Sequence, residues 1–286
     1  MVISIDVRAF SSGLPSRIDE LDQSQALSPR DGITKMRRAK TDRITSGCYA
    51  ESLRDCDGRP LSREHYISES LLERFGKSFT VDGFPWLSTA RKMTPKVLQA
   101  KILCERHNNA LSPLDTSIAR FYDVLAGVHK GINVGNHEFN GADIERWALK
   151  VLLGLAMSGN LRGVDGRRAR AHDLPAQYLR ILFDEEAMPV GCGLYYVGDP
   201  IDNVDAGLLD ISVNHYPLGH ANAGEVFGIT IKLLRFQFVV SVMARIEVKT
   251  QRIWYRPGEF CFGAPPLGRI ALQWTPPSKV SLVLGF

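Results

Sequence analysis

Four potential metal ligands lie in two widely separated groups, and a shared ion would tie the intervening chain into one fold. Cys104 and His107 are separated by two residues, which lets both face a single ion from a turn or from the first turn of a helix. Cys48 and Cys56 would supply two further soft ligands and complete a tetrahedral Cys₃His zinc site. The seven residues between Cys48 and Cys56 exceed the usual spacing of about two to four, so buried thiols that only pack in a core are the alternative.

Three further side chains next to these ligands offer the chemistry of phosphodiester hydrolysis. Glu64-His65 follows the first cysteine pair, and Asn108 immediately follows His107. Cleavage of a phosphodiester needs a base that activates water and a divalent cation that neutralises charge on the scissile phosphate. A neutral His65 can be that base, and the oxygens of Glu64 and Asn108 suit a hard ion such as Mg²⁺ or Mn²⁺. Taken alone, His65 would be an ordinary exposed or hydrogen-bonded histidine.

The order Cys…Cys, Glu-His and Cys-x-x-His-Asn resembles that of the HNH (ββα-metal) nucleases over roughly residues 47–125. The resemblance implies a zinc-stapled ββα-metal domain that hydrolyses DNA, and a role in defence against foreign DNA. It implies His65 as the general base, and Glu64 and Asn108 as ligands of a catalytic Mg²⁺ or Mn²⁺. The structural zinc ligands that it implies are Cys48, Cys56, Cys104 and His107.

The sequence departs from this family pattern at several positions. His107 stands where most members have cysteine, a change that zinc tolerates. Tyr66 and Ser68 replace the usual aliphatic residue and proline after the histidine, and the long segment that follows predicts an inserted loop around Lys77–Pro95. A catalytically degenerate zinc module that binds nucleic acid or a partner protein is therefore the alternative function.

Positive charge is concentrated in two segments of a weakly basic chain. The net charge of +4 neither indicates nor excludes a nucleic-acid partner. The segment Pro29–Arg43 holds six basic and two acidic residues, and a second basic cluster spans Arg162–Arg170. Lys and Arg provide sequence-independent affinity for nucleic acid, although solvated loops are the alternative interpretation. The predicted contacts to DNA are Arg37, Arg38, Lys40, Arg43, Arg167 and Arg168.

Three parts are predicted along the chain. Residues 1–46 are interpreted as a basic, weakly structured arm and residues 47–128 as the HNH-like domain. Residues 141–286 are interpreted as an α+β domain of unknown role, where a regulatory partner or ligand could bind. The fold class is therefore predicted to be α+β, with helices followed by a mostly antiparallel sheet.

Hydrophobic periodicity places the main elements. An apolar stripe from Ile144 to Leu155 predicts a helix that faces a core, and Ser112-Pro113 predicts a helix start. Residues 129–140 are Gly- and Asn-rich and are interpreted as a connection. A further helix is predicted over Leu174–Phe183, and strands are predicted from Met188 onward.

Composition favours a soluble protein of a reducing cytoplasm. Hydrophobic residues make up 44% and charged residues 23% of the chain, which argues against a wholly disordered protein. The five cysteines are an odd number, and metal binding suits them better than disulfides. No secretory signal and no apolar run of membrane-spanning length is visible, so we expect a cytoplasmic protein without a membrane partner.

Overall fold

The computed structural model describes residues 2–6, 41–162, 174–198, 209–216, 224–234, 236–242, 246, 252–263 and 267–284. These residues form four α-helices and fourteen strands, which confirms the predicted α+β class. The helices are α1 (Glu69–Leu72), α2 (Glu105–His129), α3 (Gly141–Met157) and α4 (Ala176–Leu182). The strands are β1 (Val2–Asp6), β2 (Leu61–His65), β3 (Phe79–Asp82), β4 (Arg91–Met93), β5 (Gln99–Cys104), β6 (Gly135–Asn140), β7 (Gly193–Val197), β8 (Leu209–His215), β9 (Val226–Leu233), β10 (Phe236–Ser241), β11 (Ile253–Tyr255), β12 (Glu259–Phe262), β13 (Gly268–Gln273) and β14 (Ser281–Leu284).

The largest sheet has eight strands in the order β11-β7-β10-β9-β8-β1-β3-β4. Every neighbouring pair in it is antiparallel, as predicted for the sheet as a whole. A second sheet has the order β14-β12-β13-β6, in which β14 and β6 pair in parallel with their neighbours. Strands β2 and β5 form a separate antiparallel ribbon.

Strand β1 differs from the expectation of a weakly structured arm. It lies inside the eight-stranded sheet, between β8 and β3. Ile3 and Ile5 are fully buried while their neighbours are at least partly exposed, the alternation of a strand with one face on the core. Strands from all three predicted parts thus share one sheet, and their buried side chains form one hydrophobic core.

Helix α2 is continuous where a start at Ser112 was expected. It begins directly after Cys104 and contains Pro113 in its interior. An interior proline costs a helix roughly 3 kcal/mol. The buried side chains on both sides of it, Leu111 and Leu114, continue one apolar stripe that stabilises the helix across this position.

The segment predicted as a connection over residues 129–140 also contains structure. Its second half is β6, which pairs in parallel with β13 from Gly135↔Gly268 to Asn140↔Gln273. Asn140 then accepts a hydrogen bond from the Ala142 amide at 3.0 Å and so caps α3.

Helix α3 is the central helix of the described structure. It contacts α2, α4 and both larger sheets, and its predicted apolar stripe is confirmed. Its polar side is buried as well, including Glu145 and Lys150, so each of these charged groups requires a partner inside the fold. In the described part of the chain, no helix has the length and apolar character needed to cross a bilayer.

Candidate metal centre and adjoining polar cluster

Four side chains converge on one buried point at the junction of β5 and α2. The ligand atoms of Cys48, Cys56, Cys104 and His107 all lie within 4.8 Å of one another. His107 Nδ1 lies 3.1 Å from the sulfur of Cys104, 3.5 Å from that of Cys48 and 3.8 Å from that of Cys56. These are the four residues that the sequence predicts as a metal site.

The local backbone explains why these side chains meet. Cys104 is the last residue of β5 and His107 lies in the first turn of α2, so the strand-to-helix turn presents both to one side. The segment before β2 is held to β5 by the Tyr49 amide, which donates to the Ile102 carbonyl at 2.9 Å. Gly47 precedes this contact with φ +83°, and a Cβ there would lie 3.1 Å from Leu61. A glycine therefore lets the chain turn tightly into Cys48.

The donor set fits a tetrahedral zinc ion. Zn–S and Zn–N bonds of about 2.3 and 2.05 Å imply N···S separations of about 3.6 Å, close to the distances around His107. All four side chains are buried, and burial raises the pKa of the Cys48 and Cys56 thiols. A cation is what would let these thiols ionise together inside the fold. The group can thus bind a metal ion, and its chemistry is consistent with structural zinc.

Asp55, which no sequence motif marks, completes this centre. Its Oδ1 lies 2.6 Å from His107 Nε2, and both side chains are buried. A carboxylate on the outer nitrogen of a ligating histidine fixes the ring and raises its basicity. The ring of Phe183, just after α4, packs edge-on against His107 with centroids 5.0 Å apart. The only sequence signal for Asp55 is its position next to Cys56.

We expect the Asp55→Asn substitution to weaken zinc binding by about 10- to 100-fold, because the amide removes the charge behind His107. Competition with a chromophoric chelator measures this affinity. Asp42→Asn is the matched control, since Asp42 is an exposed carboxylate of the same N-terminal segment. Equal zinc affinity in the two variants would show that Asp55 has no part in the centre.

A buried ion cluster lies where β2, α2 and α3 meet. The Lys150 ammonium on α3 is 2.7 Å from Glu64 Oε1 and 2.6 Å from Asp115 Oδ1. Ser68 donates to Asp115 and accepts from the Trp147 indole at 2.7 Å. The polar cluster thus joins β2, α2 and α3.

Close approach of α3 to the chain after β2 makes this cluster possible. A Cβ on Gly154 would lie 2.5 Å from the side chain of Tyr66 and 3.0 Å from its Cα. Glycine at this position allows α3 to approach the end of β2. Lys150, one helical turn earlier on the same face, thereby reaches Glu64.

The charges in the polar cluster affect one another. Burial raises the pKa of Glu64 to about 7, against the lowering influence of Lys150. Burial opposes the charged form of Lys150, but Asp115 and Glu64 outweigh it and hold the Lys150 pKa above its ordinary value. Lys150 is therefore a permanent cation of the interior at neutral pH.

Of the two residues predicted to bind a catalytic ion, Glu64 is paired with a lysine, and Asn108 is hydrogen-bonded through its amide nitrogen. Glu64 is buried against Lys150, and the Asn108 amide nitrogen donates to Ser62 Oγ at 3.0 Å and to the Arg63 carbonyl at 3.4 Å. Among the His, Cys, Asp and Glu side chains of the described residues, the Cys₃His set is the group of three or more whose ligand atoms are close enough to hold a metal. A divalent ion at this place would require Glu64 to release Lys150, so the described arrangement does not support a catalytic ion there.

His65 is differently placed. Its Nδ1 lies 3.5 Å from Glu69 Oε2, and its Nε2 is buried without a hydrogen-bond partner among the described residues. Burial lowers the pKa of His65 and outweighs the opposing effect of Glu69. A neutral imidazole with one free nitrogen is the form that a general base requires.

The predicted nucleic-acid contacts are only partly described. Arg43 is exposed, and its carbonyl accepts a hydrogen bond from the Cys56 amide at 3.1 Å, which places it beside the metal centre. The other five lie outside the described residues: Arg37, Arg38, Lys40, Arg167 and Arg168.

Strands β2 and β5 form an antiparallel ribbon, and β5 continues directly into helix α2. The Cys₃His group lies at the junction of the ribbon and the helix. Comparisons with protein-family models, with curated proteins and with solved structures find no match to this chain.

Proposed function

We propose that this protein is a zinc-stabilised, HNH-like endonuclease that hydrolyses phosphodiester bonds of DNA, with His65 as its general base. The observation that supports this most is the ribbon β2–β5 running into α2, with the Cys₃His group at the junction and His65 at the end of β2. This is the order of elements that the resemblance to ββα-metal nucleases implies. The ion in the Cys₃His group is proposed to be Zn²⁺.

The proposed chemistry uses His65 directly. Its unpaired Nε2, which is buried in the free protein, must become accessible when DNA binds, and it then takes a proton from water. The resulting hydroxide attacks the phosphorus and displaces the leaving oxygen, which takes a proton from solvent. Glu69, near Nδ1, stabilises the imidazolium that forms. Catalytic Mg²⁺ or Mn²⁺ at Glu64 and Asn108 would require Glu64 to leave Lys150, so neither ion has a step in this mechanism.

We expect His65→Ala to lower the initial cleavage rate of plasmid and single-stranded DNA by about 100-fold or more, the usual contribution of a general base. Zinc content and the thermal unfolding midpoint are measured alongside, because a lost rate matters only in a folded, metallated protein. His137→Ala is the control, since His137 contacts a backbone carbonyl of its own segment at 2.7 Å. Cleavage by His65→Ala at the parental rate would refute the assignment.

A second candidate function is a non-catalytic zinc module that binds nucleic acid or a partner protein. The Glu64–Lys150 pair favours it, because a carboxylate that would hold a catalytic ion is neutralised within the fold. This function predicts salt-sensitive binding without turnover, and equal inactivity of the parent and His65→Ala.

A further inference from the structure

The outer face of the β2–β5 ribbon carries two cations directly opposite each other. Arg63 on β2 pairs in register with Lys101 on β5, and both side chains are exposed. Opposed residues of an antiparallel pair share one face, with Cβ atoms about 5 Å apart. Glu64, the next residue, is buried on the opposite face.

This pairing is unfavourable for the protein by itself. Like charges directly opposite each other destabilise a sheet. Some exposed cations of the described chain do have acidic partners, such as Arg59 with Glu105 and Arg269 with Glu259. Arg63 and Lys101 have no ion-pair partner among the described residues, so the charge on this face is uncompensated.

The same face contains the proposed general base. His65 follows Arg63 by two residues, and Gln99 precedes Lys101 by two, so strand alternation places all four on one side of the ribbon. Two residues along a strand span about 7 Å. An arginine side chain is long enough to bring its guanidinium to an anion that lies beside His65.

We propose that Arg63 and Lys101 bind a nucleic-acid phosphodiester beside His65. The two cations supply positive charge there, where Glu64 is paired with Lys150 rather than with a metal ion. Guanidinium matches phosphate geometry with two parallel hydrogen bonds, and the lysine ammonium adds a point charge. The catalytic half of this inference rests on the proposed function, whereas the binding half does not. Phosphate binding also offsets the repulsion between the two cations, because the anion lies between them.

Binding is tested in a His65→Ala background, so that turnover does not enter the measurement. The double variant Arg63→Glu/Lys101→Glu is compared with Lys77→Glu/Lys130→Glu, which changes net charge equally at two other exposed lysines. Fluorescence anisotropy of labelled single- and double-stranded DNA is followed against salt concentration with zinc-loaded protein. Circular dichroism and zinc content confirm that each variant is folded.

The ribbon variant is expected to bind DNA about 10-fold or more weakly at low salt, with the control within about twofold of the parent. The slope of log affinity against log salt should fall by about 1.4 for single strands and 1.8 for duplex, which corresponds to two lost phosphate contacts. Equal affinity and slope in the two charge-reversal variants would overturn the inference. So would tighter binding of an acidic peptide than of DNA, since the surface would then serve a protein partner.

Cleavage in the parental background tests the catalytic half. With His65 present, Arg63→Ala/Lys101→Ala is expected to lose cleavage, and added Mg²⁺ should not restore it. Restoration by Mg²⁺ would overturn the role of the two cations in neutralising the phosphate. If the parent binds DNA through the ribbon but never cleaves it, the proposed function fails while the phosphodiester site stands.

Discussion

Cys104→Ala should produce a protein without bound zinc. Its free energy of unfolding should be at least about 4 kcal/mol lower than that of the metallated parent. A ligand that binds only the folded state adds about 4 kcal/mol when its free concentration is about 1,000-fold above its dissociation constant, and structural zinc sites bind more tightly than that. The loss has a structural basis, since the centre ties the segment around Cys48 and Cys56 to the start of α2. Elemental analysis and urea unfolding, with and without a chelator, measure it.

Cys192→Ala is the matched control for this prediction. Cys192 is also a buried, free cysteine, but it lies outside the Cys₃His group. It should retain about one zinc per chain and the parental response to chelator, with only the modest loss of a small buried side chain. A parent protein that contains no metal, and whose urea midpoint is unchanged by chelator, would contradict the metal centre itself.

Lys150→Met should lower the unfolding free energy by about 3 to 5 kcal/mol, the usual cost of removing one partner from a buried ion pair. Methionine preserves the length and packing of the side chain but leaves Glu64 and Asp115 without their cation. Lys130→Met, at an exposed position, is the control and should change stability little. A loss below about 1 kcal/mol in Lys150→Met would show that the two carboxylates do not depend on the ammonium.

A second substitution and the pH both test the cause of that loss. Glu64→Gln/Lys150→Met should recover part of the stability, because one of the two unpaired charges is gone. Burial raises the pKa of Glu64 from 4.5 to about 7 even though Lys150 acts to lower it. The pKa of Glu64 therefore rises further when Lys150 is absent. When the pKa of a carboxyl is higher in the folded state than in the unfolded state, the unfolding free energy falls as the pH rises. For Glu64 this fall begins near pH 4.5 and ends above the pKa of the folded state. The deficit of Lys150→Met should therefore be smaller at pH 5 than at pH 8.

The pairing of Cys104 with His107 and the identity of α3 could be predicted because both depend on local spacing. Two residues between Cys104 and His107 bring both to one turn, and the stripe from Ile144 to Leu155 has the period of a helix. The role of Lys150 could not be predicted in this way. In the sequence it occupies the polar side of an amphipathic helix, and only the approach of β2 and α2 places Glu64 and Asp115 around it.

Long-range pairing also limited the prediction of strands. Ile3 and Ile5 alternate as a strand requires, but five residues are a weak signal and both neighbouring strands are remote in the sequence. Residues around Lys77–Pro95 were interpreted as an inserted loop, although β3 and β4 form there and extend the sheet beyond β1. Strands β3 and β4 form because β1 provides the edge on which β3 pairs, and this edge is remote in the sequence.

The position of β1 between β3 and β8 also determines when folding of the eight-stranded sheet can be completed during synthesis. Its register runs from Val2↔Ser212 to Ile5↔Leu209 on one side and from Ser4↔Asp82 to Asp6↔Thr80 on the other. At roughly 5 to 20 residues per second, a ribosome needs about 10 to 40 seconds between making β1 and making β8. During that interval β1 has an unpaired edge. Ile3 and Ile5, which are buried in the folded protein, are then exposed to solvent or bound by a chaperone. The eight-stranded sheet must therefore close late, because β1 is made well before its partner β8.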